Sequence, residues 1–163
     1  ICIVAGASGA MKSSLTFSML YNAVLYGETS GIYVTLEQGK DSLRSHMSNM
    51  GMNIEDKRVS NRIAIIDLSD LRVQLDEQGM SNRVDWMGQL IKQLTSYRES
   101  IGFELLVFDS LGAFFTLTKM ENPRDEIFRL FEAVRRLGLT SFFICEMTGD
   151  DHKQFGEYGV EDY

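Results

Sequence analysis

Five short apolar runs alternate along the chain with longer stretches in which apolar residues return every three or four positions. That alternation predicts a mostly parallel central sheet with crossover helices on both faces. Strands are predicted at Ile1–Ala5, Gly31–Leu36, Arg62–Asp67, Glu104–Asp109 and Thr140–Glu146. Most are continuously apolar rather than alternating, as strands covered on both faces are. Helices are predicted at Ser13–Tyr26, Lys40–Met50, Arg83–Ile101 and Pro123–Leu137, each closing at or near a glycine, with Pro123 at a first position where a missing N–H costs nothing. Phe128, Leu130, Phe131 and Val134 follow helical spacing and predict a buried face, and Phe142 and Phe143 belong to a strand core. Leu68–Asn82 mixes Asp, Glu, Gln and Gly without a clear period and is expected to be a surface loop.

Composition narrows the class. With 163 residues, 44% hydrophobic, and one proline, the chain suits one globular α/β domain over residues 1–163, able to bury about two-thirds of its unfolded surface. It starts inside a strand without Met and stops just after a Gly-Val-Glu-Asp run, so an excerpt truncated at both ends is expected. No apolar run reaches the roughly 18–20 residues of a membrane span and no signal segment opens the chain, which predicts a cytoplasmic protein without a membrane partner. The net charge of −7, with no block of Lys and Arg, argues against broad contact with a nucleic-acid backbone. Cys2 and Cys145 lie in apolar runs and are expected to be reduced core residues. His46 and His152 lack the spaced partners of a transition-metal site and are assigned to the surface.

The first strand breaks into a loop, Gly6, Ala7, Ser8, Gly9, Ala10, Met11, that ends in Lys12, Ser13 and Ser14. Such a loop curls so that successive N–H groups point at a phosphate, while the next helix offers its positive end. Lys12 would then reach the outer phosphates, and the Ser13 hydroxyl would coordinate magnesium. The motif calls for Gly where Met11 stands. If that position needs a left-handed backbone, a side chain costs roughly 1–3 kcal/mol, weakening nucleotide binding about five- to 150-fold when nothing compensates. The alternative is a chance turn.

Three strands end in acids at the edge where a nucleotide crevice opens. Asp109, closing Leu105–Asp109, suits an acid that orients magnesium and its waters, or else caps the following helix. Glu37, after Tyr33-Val-Thr-Leu36, could take a proton from a water attacking the terminal phosphate, or sit in the first turn of the next helix and favor its dipole. Glu146 is a third candidate, with a sensor and a structural role both open. Tyr158 and Tyr163 are candidates for stacking on an adenine ring or meeting a neighboring subunit, and equally for ordinary packing.

Taken with the stretches Gly31–Glu37 leading into Leu43, Leu105–Leu111 and Phe155–Asp162, the loop and its following helix through Asn22 resemble the KaiC-like branch of the RecA superfamily of P-loop ATPases. The likeness spans essentially the whole chain. It implies a RecA-like core, ATP and magnesium at the loop, a nucleotide site at a subunit interface, and a homo-oligomeric ring, commonly hexameric. It further implies that Gly6 through Ser14 cradle the phosphates, that Asp109 is the Walker B acid, and that Glu37 is the first of two adjacent catalytic glutamates. The second is replaced by Gln38, which can position a water but cannot take its proton. Residues acting in trans would lie downstream of this segment, and autophosphorylation belongs to the family's repertoire. The leading expectation is a magnesium-dependent ATPase that hydrolyses ATP by positioning and charge stabilization. A nucleotide-gated regulatory protein with weak turnover, supported by Met11 and Gln38, and a recombinase-like DNA-binding ATPase are the alternatives.

Overall fold

The structure is a computed structural model that describes residues 1–77, 85–118 and 122–147. In chain order the elements are β1 (Cys2–Gly6), α1 (Lys12–Tyr26), β2 (Gly31–Thr35), α2 (Lys40–Asn49), β3 (Ile63–Asp67), α3 (Leu68–Glu77), α4 (Trp86–Ile101), β4 (Leu105–Asp109), α5 (Leu111–Thr118), α6 (Pro123–Arg136) and β5 (Thr140–Glu146). The strands form one sheet in the order β1-β5-β4-β2-β3, with every pairing parallel. This is the expected RecA-type α/β core. None of its described helices is long and apolar enough to cross a membrane.

Alternate residues of each strand serve opposite faces, the two-residue period of a pleated sheet. Ile32, Val34, Leu106, Phe108, Phe143 and Cys145 pack under α4, α5 and α6. Tyr33, Val107 and Ile144 pack under α1 and α2, against Phe17, Leu20, Val24, Leu43 and Met47. Both faces are therefore apolar, and that is why the strands read as unbroken hydrophobic runs. Because all five strands run in one direction, their carboxyl ends share one edge. The register sets Gly6 beside Glu146 and Thr35 beside Asp109 at that edge.

Several expectations are corrected. Leu68–Glu77 is a helix, not a loop. The Asp67 carboxylate caps its start, accepting from Ser69 Oγ at 2.6 Å and the Asp70 N–H at 3.0 Å, and Leu68 is buried in the core. Helix α5 was not expected from periodicity, because it is short. It begins where the Ser110 hydroxyl accepts the Ala113 N–H and its Leu111, Phe114 and Phe115 are buried. The α4 helix starts at Trp86, capped by Asp85 accepting the Gly88 N–H at 2.9 Å. On α6 the buried stripe is Ile127, Leu130, Phe131 and Val134, and Phe128 lies one step off it at 49% exposure. Cys2, the first residue of the edge strand β1, is exposed, while Cys145 is buried, and neither forms a disulfide.

Candidate active site

The loop between β1 and α1 is shaped by two left-handed residues. Gly9 has φ +76° and Met11 has φ 58°, ψ 26°, and among the described residues Met11 is the one non-glycine with positive φ. Its carbonyl accepts the Leu15 N–H at 2.9 Å as α1 begins, and the Ala10 N–H bonds the Ala7 carbonyl at 3.2 Å. The reversal at Met11 brings Lys12 back over the loop, where Nζ donates to the carbonyls of Gly6 at 2.9 Å and Ala7 at 2.8 Å. Both of these acceptors are neutral carbonyls, which tether the amine over the loop and can be exchanged for an anion.

The acids come from the adjacent central strands. Asp109 closes β4 at 5% exposure, and its Oδ2 accepts the Tyr33 hydroxyl at 2.5 Å. Burial first, then the Asp109 charge and that hydrogen bond, raise the Tyr33 phenol far above its ordinary pKa, against smaller opposing contacts from the Ser13 and Thr16 hydroxyls. Tyr33 is therefore a permanent donor. The Asp109–Ser110 peptide is cis. Just beyond it, Ser110 Oγ donates to Glu37 Oε1 at 2.5 Å, while the Leu36 N–H bonds the Asp109 carbonyl at 2.8 Å. Thr35 Oγ1 donates to the Gln38 carbonyl at 2.7 Å and accepts the Gln38 N–H at 3.3 Å, closing the turn that carries Glu37. Gln38 Nε2 in turn reaches Ser42 Oγ at 2.7 Å.

Asp67, at the end of β3, fixes the approach of α2 by accepting the Lys40 N–H at 2.6 Å, in addition to capping α3. Burial pulls its pKa upward, but the bonds from Ser69, Asp70 and Lys40 outweigh it and hold the carboxyl below the usual range.

These segments enclose a cleft of about 350 Å³ lined by residues Ser8 through Ser14 together with Glu37, Gln38, His46, Asp109, Ser110, Ile144 and Glu146. The expected site residues thus meet in one cleft, except Gly6 and Ala7, which lie beneath it and hold Lys12. Glu146 stands on the wall, exposed. His46 is exposed as expected, yet it is also part of the cleft lining. A second, more open groove of about 680 Å³ runs along α1 and shares Met11 and Ser14 with the cleft, continuing past Leu15 and Tyr26 to Met50 and Asn53. Sequence reasoning missed Tyr33, Ser110 and Asp67. The only signals they offer are a tyrosine two positions before the end of a strand, a serine directly after a strand-end aspartate, and a fourth acid closing a strand. His152, Tyr158, Tyr163 and the Phe155–Asp162 run lie outside the described residues.

Comparison with known proteins gives the family and the fold. The family model described as "ATPase: KaiC" matches residues 1–163. The circadian clock protein KaiC3 of Synechocystis is 28% identical over 99% of this chain and 31% of its own length. The circadian clock oscillator protein KaiC of Parasynechococcus marenigrum is 25% identical over the same share of this chain and 31% of its own. A UPF0273 protein of Sulfurisphaera tokodaii is 26% identical over 99% of this chain and 57% of its own length. The chain thus spans about a third of the length of the KaiC relatives it matches. A crystal structure of a KaiC-like protein from Pyrococcus horikoshii superposes with a TM-score of 0.76 at 21% identity, covering 99% of this chain and 65% of that one. That likeness is one of fold.

Proposed function

This chain belongs to the KaiC family of ATPases, and from that premise we propose that its cleft binds ATP with magnesium and hydrolyses the terminal phosphate. The observation that carries the reading is the convergence of Lys12, Ser13, Glu37 and Asp109, far apart in sequence, on one cleft at the carboxyl edge of the sheet. The donor set fits a triphosphate and its metal: loop N–H groups at a helix N-terminus, one ammonium, one hydroxyl and one buried carboxylate. Tyr33 engages Asp109 Oδ2, so Oδ1 is the oxygen offered toward the metal and its waters.

In this reading Lys12 exchanges the Gly6 and Ala7 carbonyls for the outer phosphate oxygens. Magnesium, when bound, neutralizes charge building on those oxygens. Glu37 accepts the proton of the attacking water, and the Ser110 hydroxyl keeps one of its oxygens fixed, so the other is the base. Gln38 holds the turn and orients water without taking a proton. The groove beside Met11 and Ser14 receives the nucleoside end of the ligand. A homo-oligomeric ring, hexameric by family resemblance, would place a neighboring subunit over the open side of the cleft, and a cytoplasmic location belongs to the same proposal.

A second reading, a nucleotide-gated regulator that turns ATP over slowly, is favored by Gln38 standing where the family places a second glutamate. Calorimetric ATP binding and steady-state turnover separate the two. Lys12→Ala is expected to weaken binding by about 10- to 100-fold, the worth of a charge-assisted contact. Glu37→Gln is expected to keep binding and lose turnover. A parent protein that binds without turning over selects the regulator, and one that does not bind ATP at all refutes both.

A further inference from the structure

Tyr33 stands at the middle of β2, the strand between β3 and β4, and is fully buried. Its ring packs on Phe17 of α1 with centroids 5.3 Å apart. A phenylalanine would make the same contact and fill the same core without burying a hydroxyl, which is unfavorable unless the hydroxyl finds a partner. The hydroxyl here finds Asp109 rather than a backbone carbonyl. The register shows how: Tyr33 is level with Val107, and Asp109 lies two residues farther along β4 on the same face. Two residues of strand advance about 6.6 Å, a distance that a phenol-length side chain leaning along the sheet can span.

The same side chain also reaches α1, the helix that carries Ser13 at its start, through the packing of its ring on Phe17. Thr16 Oγ1 is anchored there by the carbonyls of Lys12 and Ser13, at 3.0 and 3.1 Å. One side chain therefore joins the helix that carries Ser13 to the strand that carries Asp109. The strands β1 and β4 are not neighbors, because β5 lies between them. No direct backbone ladder joins β1 to β4, and within the core shared by α1 and the sheet Tyr33 is a side chain that touches both α1 and Asp109.

We propose that Tyr33 is a positioning residue for the metal, holding Asp109 in one rotamer with Oδ2 occupied and tying that carboxylate to α1, which carries Ser13, through its ring on Phe17. The proposal rests on the reading of the cleft as a magnesium-ATP site. It assigns Tyr33 no proton transfer and no contact with the nucleotide. Its consequence is specific: loss of the hydroxyl loosens the metal and leaves metal-free nucleotide contacts, made by the loop and Lys12, as they are.

The test compares the parent protein with Tyr33→Phe, Asp109→Asn and the double variant, by calorimetric titration with ATP in magnesium and again in EDTA. Manganese bound beside ADP, read by electron paramagnetic resonance, serves as a readout independent of turnover. Tyr33→Phe is expected to change the dissociation constant in EDTA by less than about twofold, while the gain that magnesium confers falls about tenfold, the worth of one bond to a charged group. The double variant is expected to lose no more of that gain than Asp109→Asn alone, because the tyrosine acts through the aspartate. An unchanged or larger magnesium gain in Tyr33→Phe overturns the proposal, as does an equal loss with and without metal, which would make Tyr33 a packing residue only. A parent protein without metal-dependent ATP binding refutes the nucleotide reading itself, and this inference with it.

Discussion

Replacing Met11 by glycine separates two places where the strain of the loop can act. Met11 sits at φ 58° and ψ 26°, in the left-handed region, with its side chain 62% exposed. A non-glycine residue there is disfavored by roughly 1–2 kcal/mol. Glycine removes that term but loses more freedom on folding, by roughly 0.5–1 kcal/mol, and little packing is lost from so exposed a side chain. The net expectation is a stabilization of about 0.5–1 kcal/mol, or a rise in Tm of roughly 1–4 °C for a domain of this size. The left-handed turn is held by bonds within the loop itself, the Leu15 N–H to the Met11 carbonyl and the Ala10 N–H to the Ala7 carbonyl, so the strain acts on folding and is common to the free and bound states. Met11→Gly is therefore expected to shift ATP affinity by less than about threefold, not by the five- to 150-fold that follows if strain arises on binding. Differential scanning calorimetry and ATP titration on the same samples decide it. An affinity gain of tenfold or more with an unchanged Tm would refute the reasoning and show that the turn forms only around the phosphates.

Ser110→Ala removes the donor that orients Glu37 and the acceptor of the Ala113 N–H; kcat is expected to fall about tenfold with ATP affinity nearly unchanged, and stability to drop by about 1 kcal/mol as for a lost helix cap, read by steady-state turnover and thermal melting. Asp67 supplies a pH dependence. Its folded pKa lies below the usual carboxylate value, so its contribution is complete above the unfolded value of about 3.9 and is lost as pH falls through the lower folded value. Asp67→Asn should lower stability at neutral pH and flatten the acid limb of a stability profile measured below pH 4. An unchanged acid slope would mean that the caps on α2 and α3 do not depend on its charge.

The sheet was legible because both faces of its inner strands are covered, and that leaves apolar runs such as Leu105–Asp109 and Thr140–Glu146 whose ends match the observed strands at one or both limits. The phosphate loop was legible because a backbone turn and a cation must be neighbors in sequence to work together. What stayed hidden has a common cause. Helix α3 is started by the side chain of the strand residue before it, and α5, only eight residues long, by a serine that also serves Glu37. Phe128 was misassigned because adjacent phenylalanine-rich positions on α6 permit two stripes, and only contact with α4 and the sheet selects Ile127, Leu130, Phe131 and Val134.

The relations that hold the site together are contacts between residues remote in sequence. Tyr33 and Asp109 meet across the β2–β4 ladder, as do Glu37 and Ser110 one step beyond its end. That ladder makes the two acids parts of one rigid unit, whereas Lys12 and Ser13 arrive on α1 from the far edge strand. The distance between the cation and the acids is thus set by how α1 packs across the sheet, through Phe17 on Tyr33 and Leu20 and Val24 in the same core. Core packing beneath α1 and the geometry of the cleft are consequently one physical quantity, and a substitution in that core reaches the site without touching a residue that lines it.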